Sequence, residues 1–183
     1  MMIADIFPWL LVPSLPTILI RTVLAVICAG AVGYDRNIHG ASAGLRTHIL
    51  VCVGAMLAMS TGQFASMYYS ADATRIGAQV VSGIGFLGAG TIMVTKKNHI
   101  HGLTTAAGLW AAACIGLALG IGFYEGAIVG AIVVYVTIHM LRRFSLSLRK
   151  AHADDIAADN AGNREADKAI SAAEETLENQ SRK

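Results

Sequence analysis

Five apolar runs separated by short polar links fill the chain up to residue 141: residues 17–34, 45–62, 75–95, 103–121 and 126–141. At about 1.5 Å rise per helical residue, runs of this size suit the ~30 Å hydrocarbon core of a bilayer. The third holds 20 uncharged residues between Arg75 and Lys96, five of them glycine: Gly77, Gly83, Gly85, Gly88 and Gly90. In a soluble helix each glycine would cost about 0.5–1 kcal/mol relative to alanine. Between membrane helices, small residues instead let backbones approach closely. The pattern predicts an all-α polytopic membrane protein of about five Gly-rich transmembrane helices. The third helix is expected at its centre, with Gly83, Gly85, Gly88 and Gly90 as contact points.

Gly83, Gly85 and Gly88 also fit G-x-G-x-x-G, which binds a dinucleotide when it joins a strand to a helix. Here the motif lies inside an apolar run, with no acidic residue about 20 positions on, so helix packing is the better reading. Gly116-x-x-x-Gly120 and Gly126-x-x-x-Gly130 repeat the close-approach pattern in the last two runs, and Trp110 joins the packing set. Such faces serve contact within the chain more often than docking of a second copy or another membrane protein.

Composition agrees with membrane residence: 55% hydrophobic, 14% charged, mean hydropathy +0.57. Charge is uneven. Residues 1–150 hold 10 Lys/Arg against 4 Asp/Glu, whereas 151–183 hold 4 against 8. The chain thus divides into an interfacial N-terminal segment 1–16 with Pro8, Pro13, Pro16 and Trp9, a transmembrane domain 17–143 and a polar tail 144–183. The tail has too few large apolar residues to bury a core and is expected to be disordered or loosely helical. Arg21, near the outer end of the first run, is expected to snorkel to the interface. Arg36, Arg46, Lys96, Lys97, Arg142, Arg143, Arg149 and Lys150 fall on one side of a five-span layout, against Arg21 and Arg75 on the other. That bias predicts an outside N-terminus and a cytoplasmic C-terminus.

Charged and polar residues at or within spans are the functional candidates, because burying them unpaired is costly. They are Asp35, Arg36, Arg46, Thr47, Asp72, Arg75, Gln79, Ser82, Thr104 and Thr105. Asp35 between Arg36 and Arg46 would lock adjacent helix ends. The alternative, that it lines a cation path, fits poorly with two guanidiniums nearby. Asp72 stands three residues before Arg75, placed to pair with it or to cap the third helix. His99-x-His101 lacks a third ligand, and Cys28, Cys52 and Cys114 lack metal spacing. The residues offer no metal or cofactor set, no catalytic arrangement and no nucleic-acid signature; the expected partner is the lipid bilayer.

Four motifs, in order, carry a resemblance. They are Asp35-Arg36; Ala43-Gly44-Leu45-Arg46-Thr47; Arg75-Ile76 with the segment 79–90; and Gly102-Leu103-Thr104-Thr105-Ala106-Ala107 with Trp110. Over about residues 19–143 the chain resembles the MgtC/SapB family of bacterial inner-membrane proteins. The resemblance implies a role in magnesium or envelope homeostasis and stress adaptation, with transport or docking of another membrane complex as alternatives. Asn37 after Arg36, Thr104 where magnesium- and virulence-linked members carry Asn, and a tail unlike their folded C-terminal domain place it nearer the SapB-like branch.

Overall fold

The computed structural model describes residues 7–38, 40–94 and 100–140. By internal contacts the chain divides into a body, Met1–His139, and a unit Met140–Lys183, of which only Met140 is described. The division expected at 143/144 and the polar tail therefore lie outside the described residues.

The body is all-α. A short 3-10 helix, Pro8–Leu11, leads into α1 (Leu15–Ile38), α2 (Leu45–Tyr69), α3 (Arg75–Thr91), α4 (Leu103–Ile121) and α5 (Tyr124–Met140). Helices α1, α2 and α4 are long and apolar enough to cross a membrane, while α3 and α5 have 17 residues each. Helix α1 begins where its sequence allows. Pro16 sits in the first turn, where its missing N–H costs nothing, and the Ser14 carbonyl accepts the amide of Ile18 at 2.9 Å. The helix runs on to Ile38, so Asp35 belongs to its last turn and not to the following link.

The third run is not one continuous span. Helix α3 stops at Thr91, where Ile92 turns extended (φ −88°, ψ 122°) in a β-branched stretch that favours strand over helix. Met93–Val94 (β1) then pairs antiparallel with Ile100–His101 (β2), Met93 opposite His101. This two-stranded hairpin feeds α4 through Gly102, whose φ of +92° and approach to the Thr91 carbonyl leave no room for a Cβ.

The centre is α4, not α3. Helix α4 buries Thr105, Leu109, Ala112, Ala113, Gly116 and Leu119 on several sides and packs most extensively against α2. A Cβ at Gly116 would run into the Cys52 carbonyl and stand 2.9 Å from the Ala55 Cβ. One at Gly120 would lie 2.5 Å from the Met56 carbonyl oxygen. The Gly116-x-x-x-Gly120 face is therefore an intramolecular α4–α2 contact. Gly130 of α5 meets the Ile115 Cγ1 of α4 at ordinary distance, and Gly126 lies against the ring of Phe123.

Helix α3 buries one narrow stripe, Gly77, Ile84 and Gly88. Gly77 abuts the Met59 sulfur and Gly88 packs on Ala106 of α4, whereas a Cβ at Gly83, Gly85 or Gly90 would meet nothing within 4 Å. The expectation that Gly83, Gly85 and Gly90 form the bundle's contact points is corrected: they lie off the stripe that faces α2 and α4. Trp110, 50% exposed, points away from the core and is likewise not a packing residue. With Gly83, Gly85 and Gly88 in mid-helix, their amides belong to the helix ladder, and the dinucleotide geometry does not form.

Candidate functional site

Between two polar ends the bundle is apolar. Ala25, Cys28 and Ala29 of α1, Cys52 and Met56 of α2, and Leu119 of α4 form its middle. Small residues there let the helices close on one another, and the buried polar side chains stand toward the two ends.

At one end stands Arg21, with no exposed surface at all. Its Nε donates to Tyr124 Oη at 3.1 Å, Nη1 to Gln63 Oε1 at 2.9 Å, to Ser60 Oγ at 3.3 Å and to the Gly120 carbonyl, and Nη2 to the Leu10 carbonyl at 2.8 Å. Tyr124 Oη also donates to the Leu10 carbonyl at 2.9 Å, Ser60 Oγ to the Gly120 carbonyl at 3.2 Å, and Gln63 Nε2 to the Leu11 carbonyl at 2.7 Å. The expected snorkelling of Arg21 is therefore corrected: one guanidinium fork ties the 3-10 helix, α1, α2, α4 and α5 together. The Pro8–Leu11 segment is held to the bundle by the Leu10 and Leu11 carbonyls. The signal available in the sequence was a charge one turn inside an apolar run, which marks a buried partner as readily as an interface. Ser60, Gln63 and Tyr124 had no such signal.

The opposite end gathers the ends of α1 and α5 with the starts of α2 and α4. Asp35, nearly buried, accepts the His139 Nδ1–H at 3.1 Å, and the His139 ring stacks on Tyr135 at 5.7 Å between centroids. Arg36 Nη2 donates to Thr105 Oγ1 at 3.0 Å, and Thr105 is buried. His48, fully buried, donates from Nδ1 to the Gly44 carbonyl at 2.8 Å. That bond leaves Nε2 as the ring's acceptor nitrogen, without a hydrogen-bond partner among the described residues. Gly33 and Gly108 make room for this side chain: a Cβ at Gly33 would stand 3.1 Å from the His48 Cβ, and one at Gly108 3.1 Å from Nε2. Sequence reasoning missed His48 and His139; a histidine within a span was the clue for both.

The other predicted residues are dispersed. Arg46 is exposed beside Thr47 at the start of α2, and Thr104 is exposed in the first turn of α4. Gln79 and Ser82 are exposed on α3 and join neither end. Asp72 Oδ1 accepts both the backbone N–H and the hydroxyl of Thr74 at 2.8 Å, building the entry turn of α3 in front of Arg75. These bonds, helped by the Arg75 charge, hold the exposed Asp72 carboxyl below the usual aspartate range. His99 lies outside the described residues, and among those described no three His, Cys, Asp or Glu cluster as metal ligands.

An apolar helical bundle with ionisable residues buried at its ends defines a polytopic membrane protein. The MgtC family model matches residues 22–146, and the chain belongs to that family. It is 41% identical over 136 residues to YhiD of Escherichia coli K12, provisionally named a magnesium transporter, covering 71% of this chain and 63% of the relative. It is 42% identical to Protein MgtC of Salmonella typhimurium LT2 over 125 residues (67% and 52%), and 33% identical to Protein SapB of Bacillus subtilis over 132 residues (69% and 57%). The chain thus spans between about half and two thirds of these relatives' length. No solved structure matches.

Proposed function

We infer that the chain serves a regulatory or ligand-binding role in magnesium or envelope homeostasis and stress adaptation, from the inner membrane of a bacterium. The observation that carries this reading is the apolar middle of the bundle, lined by Ala25, Cys28, Ala29, Cys52, Met56 and Leu119. A hydrated divalent cation sheds its waters reluctantly and needs oxygen ligands along its route. The polar groups at the two ends instead suit reception: a locked end at Arg21, and an end where Asp35 pairs with His139 close to the buried His48. The names of the relatives supply the link to magnesium.

A deletion strain grown at limiting Mg²⁺ and complemented with this chain, beside Mg²⁺ flux in proteoliposomes, tests the reading. Rescue of growth that Asp35→Asn removes, with no flux in proteoliposomes, supports it. Flux through the purified chain that Asp35→Asn abolishes overturns it in favour of transport, the activity in the E. coli relative's provisional name.

A further inference from the structure

Between α2 and α3 lies an open cavity of about 510 Å³, within the roughly 300–1,000 Å³ range of small-molecule sites. Leu50 and Gly54 form one wall, Val80, Gly83 and Leu87 the other, and Ala113 of α4 the floor. Its shape comes from missing side chains: a Cβ at Gly54 or Gly83 would meet nothing within 4 Å. Arg46 and Thr47 stand at one end of this groove and also line a second, polar cavity of about 400 Å³ beside Asn37 and Gly44. From Arg46 to Ala55 the groove follows α2 for about 14 Å at the helical rise. It is therefore a long apolar slot with a cation at its mouth and a polar chamber beyond.

We propose that this groove binds an anionic phospholipid, one acyl chain lying between α2 and α3 and the headgroup phosphate on Arg46 and Thr47. Charge decides the occupant. Arg46 makes no hydrogen bond or ion pair with any described residue, so its guanidinium is available as a donor fork for phosphate. A second copy of the chain is poorly equipped to answer it. Asp35 is turned to His139, while Asp72 and Glu125 belong to the opposite end of the bundle. Residues 151–183 carry eight carboxylates but only Ile156, Ile170 and Leu177 as large aliphatic side chains, too few to fill a slot of this length. An anionic lipid supplies both parts, and in a bilayer a groove of this size fills with acyl chain, because an empty one forfeits its dispersion contacts.

The test is thermal unfolding of the full chain in detergent, titrated with phosphatidylglycerol, phosphatidylcholine or inorganic phosphate. Phosphatidylglycerol is expected to raise the midpoint saturably, with phosphatidylcholine and inorganic phosphate ineffective. Arg46→Gln should weaken the half-maximal lipid concentration about fivefold. Gly83→Leu should abolish the shift while leaving the lipid-free midpoint at the parent value, because the leucine fills the groove without meeting the protein. If Gly83→Leu lowers the lipid-free midpoint, Gly54→Leu on the facing wall reads the same groove. An equal response to phosphatidylcholine, a response to inorganic phosphate alone, or a shift that survives both Arg46→Gln and the groove-filling leucine would overturn the proposal.

Discussion

Arg21 shows how one side chain can set the geometry of a bundle. Its planar fork presents five donors on three nitrogens, and those nitrogens reach five acceptors on other parts of the chain. Arg21→Ala would strand buried carbonyl and hydroxyl groups at roughly 1–3 kcal/mol for each one left unsatisfied. Arg21→Lys is expected to recover only part of the loss, since an ammonium offers three donors and no fixed plane. The unfolding midpoint in detergent should fall in the order parent, Lys, Ala. Asp72 works differently, in solvent, by ordering the turn before α3. Its carboxyl is held low in the folded state, so its contribution is complete above the ordinary aspartate value and is lost as pH falls through the lower folded value. Hydrogen exchange at the Gly77 and Ala78 amides should accelerate below that value in the parent, and be fast and pH-independent in protection for Asp72→Ala, which leaves Thr74 no acceptor.

Helices α3 and α4 exchange the roles that glycine content alone assigned them. Helix α3 holds more of the glycines that draw the eye, yet only Gly77 and Gly88 touch a neighbour. Helix α4 carries fewer, but Gly116 and Gly120 sit where α2 comes into backbone contact. Gly116→Ala should therefore cost about 1–3 kcal/mol by overpacking against Cys52 and Ala55, with Gly116→Leu worse. Gly85→Leu should stay within about 0.5 kcal/mol of the parent. Thermal stability of the purified chain in detergent separates the two positions directly, and loss at Gly85 with tolerance at Gly116 would reverse the assignment of the centre.

At the scale of the molecule, successive helices alternate in direction. The contacts from Asp35 to His139, from Arg36 to Thr105 and from Gly88 to Ala106 join one set of helix ends, and those of Arg21 the other. Arg36 and Arg46 thus share an end with the strands β1 and β2, between which Lys96 and Lys97 fall in the sequence, while Arg21 and Arg75 share the opposite one. That arrangement predicts a cytoplasmic face for the Asp35 end. Reporter fusions after Gly102 and after Lys150 should both report cytoplasm; an external signal at either would break the five-span layout.

The class of the fold, the order of its helices and the close approach at Gly116 and Gly120 were legible in the sequence, because hydropathy and small-residue spacing are local properties. Asp35 and Arg36 were legible as charged candidates at one helix end, but not that Thr105 meets Arg36 there. What the sequence left open was direction. A glycine licenses a close approach without saying which helix arrives, so Gly85 and Gly116 look alike until α2 is in place. An arginine near a helix end is compatible with snorkelling or with burial, and only carbonyls from Leu10 and Gly120, brought 11 and 99 residues along the chain, decide it for Arg21. The partners of Asp35 and Arg36, 104 and 69 residues away, likewise depend on which helix ends meet, and that is a property of the packed bundle.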